Sequence, residues 1–183
     1  MKLGDKTKVN QYVNRTFTSM DNKLYNNKII KILFVCHGNI CRSPMAEFIF
    51  KEMVRKRGLQ DEYYVESAAV STEELGNPLY PPARRCLSGH GIPFDLTRQA
   101  RQVRAEDYDR FDMIICMDRS NLNWLRRIIS SDPEGKIHMM MPIVGKARDV
   151  ADPWYTGDFE ATYRDIVEVS EAMLSAEVRE ESK

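Results

Sequence analysis

Apolar residues along this chain fall in short blocks separated by amphipathic stretches, and their alternation sets the expected architecture. The block IIKILFVC at 29–36 is apolar almost without interruption, the pattern of a parallel strand buried on both faces. After a short loop, Pro44 opens an expected helix to about Arg57, striped by Met45, Phe48, Ile49 and Met53. YYVESAAV at 63–70 reads as a second strand. Turn chemistry at GNPLYPP follows, then a helix over 82–90 that ends at Gly91. FDMIICM at 111–117 is the third expected strand, a helix runs from about Ser120 to Ile129, and KIHMMM at 136–141 is the fourth strand. A loop carrying Asp152–Pro153 leads into a last helix, roughly 159–179, lined by Phe159, Tyr163, Ile166, Val167 and Met173. Strands alternating with helices predict a single α/β domain: a doubly wound, four-stranded parallel sheet with helices on both faces.

Residues 1–28 lack a lasting apolar period and read as a flexible N-terminal extension, or as a translated leader before a start at Met20. The competing reading is a docked helix carrying Tyr12, Val13 and Phe17. The folded domain is expected over 29–183.

Composition narrows the function by exclusion. Lys plus Arg equals Asp plus Glu at 27 each, so nothing in the charge balance points to nucleic acid or an anionic membrane as partner. No apolar run is long enough to span a bilayer, and the N-terminus lacks the apolar core of a secretory signal, so a cytoplasmic location is expected. Cys36, Cys41, Cys86 and Cys116 then read as thiols rather than a disulfide framework. No C-x-x-C pair or His/Cys cluster has zinc-ligand spacing, so neither a metal nor another cofactor is expected.

The chemical signal is CHGNICRS at 36–43, between a buried strand and a helix start. In an open α/β sheet, ligands bind beyond the carboxyl ends of the strands. A loop there that leads into a helix N-terminus aims backbone N–H groups and the helix dipole at one anion. Gly38 and Asn39 tolerate the strained backbone such a cradle needs, and Arg42 adds a planar fork for two phosphoryl oxygens. The same field favours a thiolate at Cys36, which makes it the candidate nucleophile. Ser43 is placed to cap the helix, and its hydroxyl can also donate to the sulfur.

VCHGNICRSP resembles the signature of low-molecular-weight protein-tyrosine phosphatases. VESAAVSTEELGNP, ARQVRAEDYDRFDMIICMDRSN and DPWYTGDFEATY resemble further segments of that family, in order, so the likeness covers roughly 30–180. It implies metal-free hydrolysis through a cysteinyl-phosphate, with Cys36 as nucleophile, Arg42 as clamp and Asp152 as general acid. Asp118 and Asp149 compete for the last role, with Asp118 better read as a helix cap. The expected substrate-binding set is His37, Gly38, Asn39, Ile40, Cys41 and Ser43 of the loop, with Trp154 and Tyr155 walling the mouth or lying in the core. Asn39, Ser43 and Ser67 are expected to support the loop. Two departures stand out: Arg98 occupies a position where the family often has a histidine, and Glu73, followed by Glu74, occupies one where many relatives have an aromatic. The implied partners are a phosphotyrosine-bearing protein or small aryl phosphate, and a tyrosine kinase.

Three rivals are weaker. An arsenate reductase needs a relay of closely spaced cysteines, whereas Cys86 and Cys116 lie 30 positions apart. An arginine-phosphate phosphatase of the same family tends to carry a small hydroxyl residue where this loop has Ile40, which suits an aryl ring. A non-catalytic phosphate-binding module would lack Cys36, Arg42 or Asp152. Cys41, five positions from Cys36, is a candidate to trap an oxidised Cys36 as a disulfide, the alternative being a small apolar filler. Cys86 and Cys116 read as structural thiols.

Overall fold

The computed structural model describes residues 29–177, so the expectations for 1–28 and for the segment beyond 177 lie outside the described residues. Its elements are β1 (Ile30–Cys36), α1 (Arg42–Lys56), β2 (Tyr63–Ala69), α2 (Pro81–Gly89), α3 (Asp107–Arg110), β3 (Met113–Cys116), α4 (Arg119–Ile128), β4 (Ile137–Met139), a 3₁₀ turn (Met141–Val144), α5 (Pro153–Thr156) and α6 (Phe159–Glu177). The four strands form one parallel sheet in the order β2-β1-β3-β4, with Cys36 beside Ala69 and Val35 beside Cys116.

Strand β1 lies inside the sheet and is buried on both faces, which is why its sequence is apolar without alternation. Ile30, Ile32, Phe34 and Cys36 join the larger core, which is shared with α1, α2 and α6. Leu33 and Val35 point the other way, into a second cluster with Tyr108 of α3, Ile114 and Leu125 of α4. Helices therefore cover both faces, as expected of a doubly wound sheet. Among the described residues, no helix is long and apolar enough to cross a membrane.

The departures from expectation are local. Helix α1 begins at Arg42, ahead of Pro44, because the first turn has no intrahelical use for the N–H that proline lacks. Strand β4 is half its expected length, since the chain bends at Met141–Pro142 into the 3₁₀ turn. Short α3 and α5 were not expected, being single turns with no period to read.

Candidate active site

The loop from Cys36 to Arg42 curls at the carboxyl end of β1, and its carbonyls are tied outward. Cys36 O accepts from Val70 N at 3.0 Å, His37 O from Ser71 N at 3.1 Å, and Ile40 O from Tyr80 N at 2.9 Å. Asn39 O accepts from Arg98 Nη1 at 2.7 Å, and Cys41 O from Met45 N at 3.1 Å. No peptide bond among the described residues is cis. In a trans peptide the N–H points opposite to the carbonyl before it. The amides of His37, Gly38, Ile40, Cys41 and Arg42 therefore face the concave side, where an oxyanion would be held.

Asn39 makes the curl possible. Among the described residues it is the one non-glycine with positive φ, at 58°, and its side chain is fully buried. Its Nδ2 donates to Ser43 Oγ and to Ser67 Oγ, each at 2.9 Å. Its Oδ1 accepts from Arg98 Nη2 and from Arg101 N, the latter at 3.2 Å. Ser67 in turn donates to Glu47 Oε2 at 2.6 Å and accepts from Arg98 at 3.2 Å. Arg98 thus supports the loop through both Asn39 and Ser67. Burial lowers its hold on its proton, opposed by the charges of Glu47 and Cys36. Gly38 has a separate constraint, since a β-carbon there would meet Glu74 Cγ at 2.9 Å.

Cys36 Sγ lies 3.0 Å from Ser43 Oγ and accepts from Asn39 N at 3.3 Å. Ser43 does not cap α1: that position is Cys41, with no side-chain cap bond. Because Ser43 Oγ already accepts from Asn39, its own hydrogen is available to the sulfur, a closer partner than Ala68 O at 3.4 Å. Cys41 is buried, and that burial, with the Cys36 charge next, pushes its thiol up to about 12. Burial pushes Cys116 up to about 12, in keeping with an inert thiol, and burial with the neighbouring Glu160 pushes Cys86 up to about 12.

Arg42 places its fork between two carboxylates, Nη1 on Asp118 and Nη2 on Asp152, each at 2.6 Å. Burial opposes its charge, but Cys36, Asp152 and Asp118 outweigh burial and raise its pKa. Asp118 is indeed the cap of α4, accepting from Asn121 N at 2.6 Å, and so holds Arg42 from a fixed base. Asp152 caps α5 through Trp154 N at 3.0 Å. The residue before it is anchored on both sides by α6: Ala151 N donates to Asp165 at 3.0 Å, and Ala151 O accepts from Thr162 Oγ1 at 2.8 Å. Asp165 is itself gripped by Arg148 at 2.7 and 2.5 Å. The Asp149 carboxylate accepts from Arg119 N at 3.3 Å, and its backbone carbonyl from Arg148 Nη1 at 3.0 Å.

Trp154 and Tyr155 are rim residues rather than core, at 58% and 86% exposed. Tyr80 stands 5.5 Å from Trp154 and completes that wall. Opposite, Glu73 pairs with His37 at 3.0 Å, and Trp124 meets His37 edge-on. Ile40 is buried in a small apolar cluster with Cys41, Ala100, Tyr80 and Phe159. The contributions of Tyr80, Trp124, Glu47, Asp165 and Thr162 were missed from the sequence, where each looks like an ordinary turn, helix or strand residue.

Residues 31–183 match the family model for low molecular weight phosphotyrosine protein phosphatase. The chain is 39% identical over 150 residues to a Bacillus subtilis protein named low molecular weight protein-tyrosine-phosphatase YfkJ, covering 81% of this chain and 96% of that one. The crystal structure of YfkJ superposes with a TM-score of 0.77 at 38% identity, over 85% of this chain and 98% of that one. A human low molecular weight phosphotyrosine protein phosphatase is 39% identical over 150 residues, 78% of this chain and 92% of that one. A Drosophila protein described as an arginine phosphatase superposes with a TM-score of 0.72 at 35% identity, over 80% of this chain and 96% of that one. A cysteine beneath a ring of inward amides, an arginine held between two aspartates and matches spanning nearly the whole of these relatives agree, and the chain belongs to the low molecular weight phosphotyrosine protein phosphatase family.

Proposed function

We propose that this protein hydrolyses aryl phosphate monoesters, phosphotyrosine above all, through a cysteinyl-phosphate intermediate and without a metal. The observation that carries the reading is that one loop holds Cys36 Sγ, which accepts from Asn39 N, and ends at Arg42, whose fork pairs with Asp152. The Cys36 thiolate attacks phosphorus while protonated Asp152 gives its proton to the departing phenolic oxygen. Arg42 and the loop amides bind the equatorial oxygens, where transition-state charge is spread. Water then attacks the cysteinyl-phosphate, Asp152 takes its proton, and the P–S bond breaks to release phosphate. For Arg42 to clamp the phosphoryl group, its Nη2 must leave Asp152, while Asp118 keeps Nη1 in place. That exchange frees Asp152 for proton transfer. Trp154, Tyr155 and Tyr80 supply faces for an aromatic ring.

Cys36→Ser should abolish hydrolysis of aryl phosphates while keeping phosphate or vanadate binding, and Arg42→Ala should damage both. Activity should survive chelators. An active Cys36→Ser protein, or loss of rate on chelation, would overturn the mechanism. The likeness to the Drosophila arginine phosphatase makes phosphoarginine the comparison substrate. Ile40, in its apolar cluster, favours the aryl ring, so kcat/KM should be higher for phosphotyrosine.

A further inference from the structure

Away from the phosphate loop, Cys86, His90 and Glu160 bring a thiol, an imidazole and a carboxylate to one point, and we propose that they bind a divalent transition-metal ion of the zinc class. Cys86 lies in the last turn of α2 and His90 caps that helix, so the two stand four positions apart on one face. Glu160 comes from the first turn of α6, 70 positions beyond His90. Its Oε1 is 3.4 Å from Cys86 Sγ and its Oε2 is 2.8 Å from His90 Nε2. All three donors lie within 4.8 Å of one another. Tetrahedral zinc, with Zn–S about 2.3 Å and Zn–N and Zn–O about 2.0–2.2 Å, sets its ligands roughly 3.3–3.8 Å apart. The two measured separations, 3.4 and 2.8 Å, lie within and just below that range.

Two further features favour a ligand. The His90 ring stacks flat on Tyr163, 3.6 Å between centroids and 9° between planes, which fixes its orientation while Nε2 faces Glu160. Cys86 and Glu160 also line a cavity of about 810 Å³ between α2 and the corner of α5 and α6. Through it an ion from solvent can reach the Cys86 and Glu160 donors. A mixed sulfur, nitrogen and oxygen set does not suit Mg²⁺ or Ca²⁺, which take oxygen ligands, and suits Zn²⁺ and its neighbours. On binding, the Cys86 S–H bond breaks, its proton goes to solvent and a metal–sulfur bond forms. His90 coordinates through Nε2 as neutral imidazole with its proton on Nδ1, and no electron moves. The expectation of no zinc-ligand spacing overlooked this group because its near pair is Cys-x₃-His and its third member is remote.

The probe is Co²⁺, titrated into the full chain carrying Cys36→Ser so that the phosphate-loop thiol does not compete. The expected result is one Co²⁺ per chain, a sulfur-to-cobalt charge-transfer band, tetrahedral d–d bands, displacement by Zn²⁺ and a raised Tm. Adding Cys86→Ser should remove the charge-transfer band. His90→Ala and Glu160→Gln should each weaken Co²⁺ binding by at least about tenfold, since even outer-shell losses cost about 10–100-fold. His90 and Glu160 are surface residues, so those two variants judge the site even where Cys86→Ser fails to fold. A missing charge-transfer band, a band that survives Cys86→Ser, or unchanged affinity in both surface variants would overturn the proposal.

Discussion

Replacing Arg98 by methionine keeps the length of the side chain and removes its guanidinium, which isolates what that group does for the phosphate loop. Arg98 donates to Asn39 O at 2.7 Å, to Asn39 Oδ1 and to Ser67 Oγ at 3.2 Å. A hydrogen bond from a charged donor is worth about 1.5–3 kcal/mol. Full summation would overshoot, because Arg101 N also serves Oδ1 and Arg98 is partly exposed, so water replaces some of the loss. The expected destabilisation is therefore about 2–4 kcal/mol. Asn39 sits in a left-handed conformation that costs roughly 1–3 kcal/mol, and Arg98 grips both its carbonyls. Without that grip the curl relaxes and the inward amides lose aim, which should lower kcat/KM about 10- to 100-fold, or roughly 1.4–2.7 kcal/mol. Arg98→Lys should fall between, since a single ammonium cannot fork across the same acceptors. Urea unfolding reads the first quantity and initial rates on an aryl phosphate read the second. An Arg98→Met protein whose kcat/KM stays within about twofold of wild type would refute the view that Arg98 holds the loop.

Asp152→Ala should lose about 10²–10⁴-fold on phenyl phosphates with poor leaving groups and much less on good ones, measured across a leaving-group series; equal losses would reduce Asp152 to a loop-shaping cap. Burial opposes the Asp165 charge, but the Arg148 and Ala151 hydrogen bonds outweigh burial and hold its pKa below the ordinary 3.8. A depressed folded pKa gives stability that is present above 3.8 and is lost as the pH falls through the lower folded value. Asp165→Asn should therefore cost about 1–2 kcal/mol at neutral pH, Arg148 being half in water. Its unfolding midpoint should converge on wild type only below pH 3.8, and a gap constant with pH would rule out the ion pair as its source. Cys41→Ser should recover poorly under dithiothreitol after peroxide, and oxidised wild type should yield a Cys36–Cys41 peptide; full recovery of the variant would leave Cys41 as packing.

What the sequence carried well was whatever is written locally. The unbroken apolar run of β1 announced a strand buried on both faces, and CHGNICRS announced the loop because its spacing and its place between strand and helix are both short-range. Asp118 as a helix cap was legible for the same reason. Its second task was not, because Arg42 lies 76 positions away and only the pairing of β1 with β3 brings them together. The hold of α6 on Ala151 depends on one turn of a long helix meeting a loop, and Thr162 and Asp165 look like ordinary helix residues. Ser43 shows a mixed outcome: its expected bond to the sulfur is present, but the expected helix cap is not, because the sulfur and Asn39 claim the hydroxyl.

On the proposed mechanism, the nucleophile and the acid are mounted on parts of very different resilience. Cys36 ends an inner strand paired on both sides, whereas Asp152 hangs on a single-turn helix tethered by a few bonds to α6. Proteins open in pieces, and weakly tethered loops open long before central strands. Mild denaturant or warming should therefore disarm proton donation while the cradle still holds its oxyanion. On that mechanism the molecule should then act, within that window, more as a phosphate binder than as a catalyst, occupying its target while turning it over far more slowly.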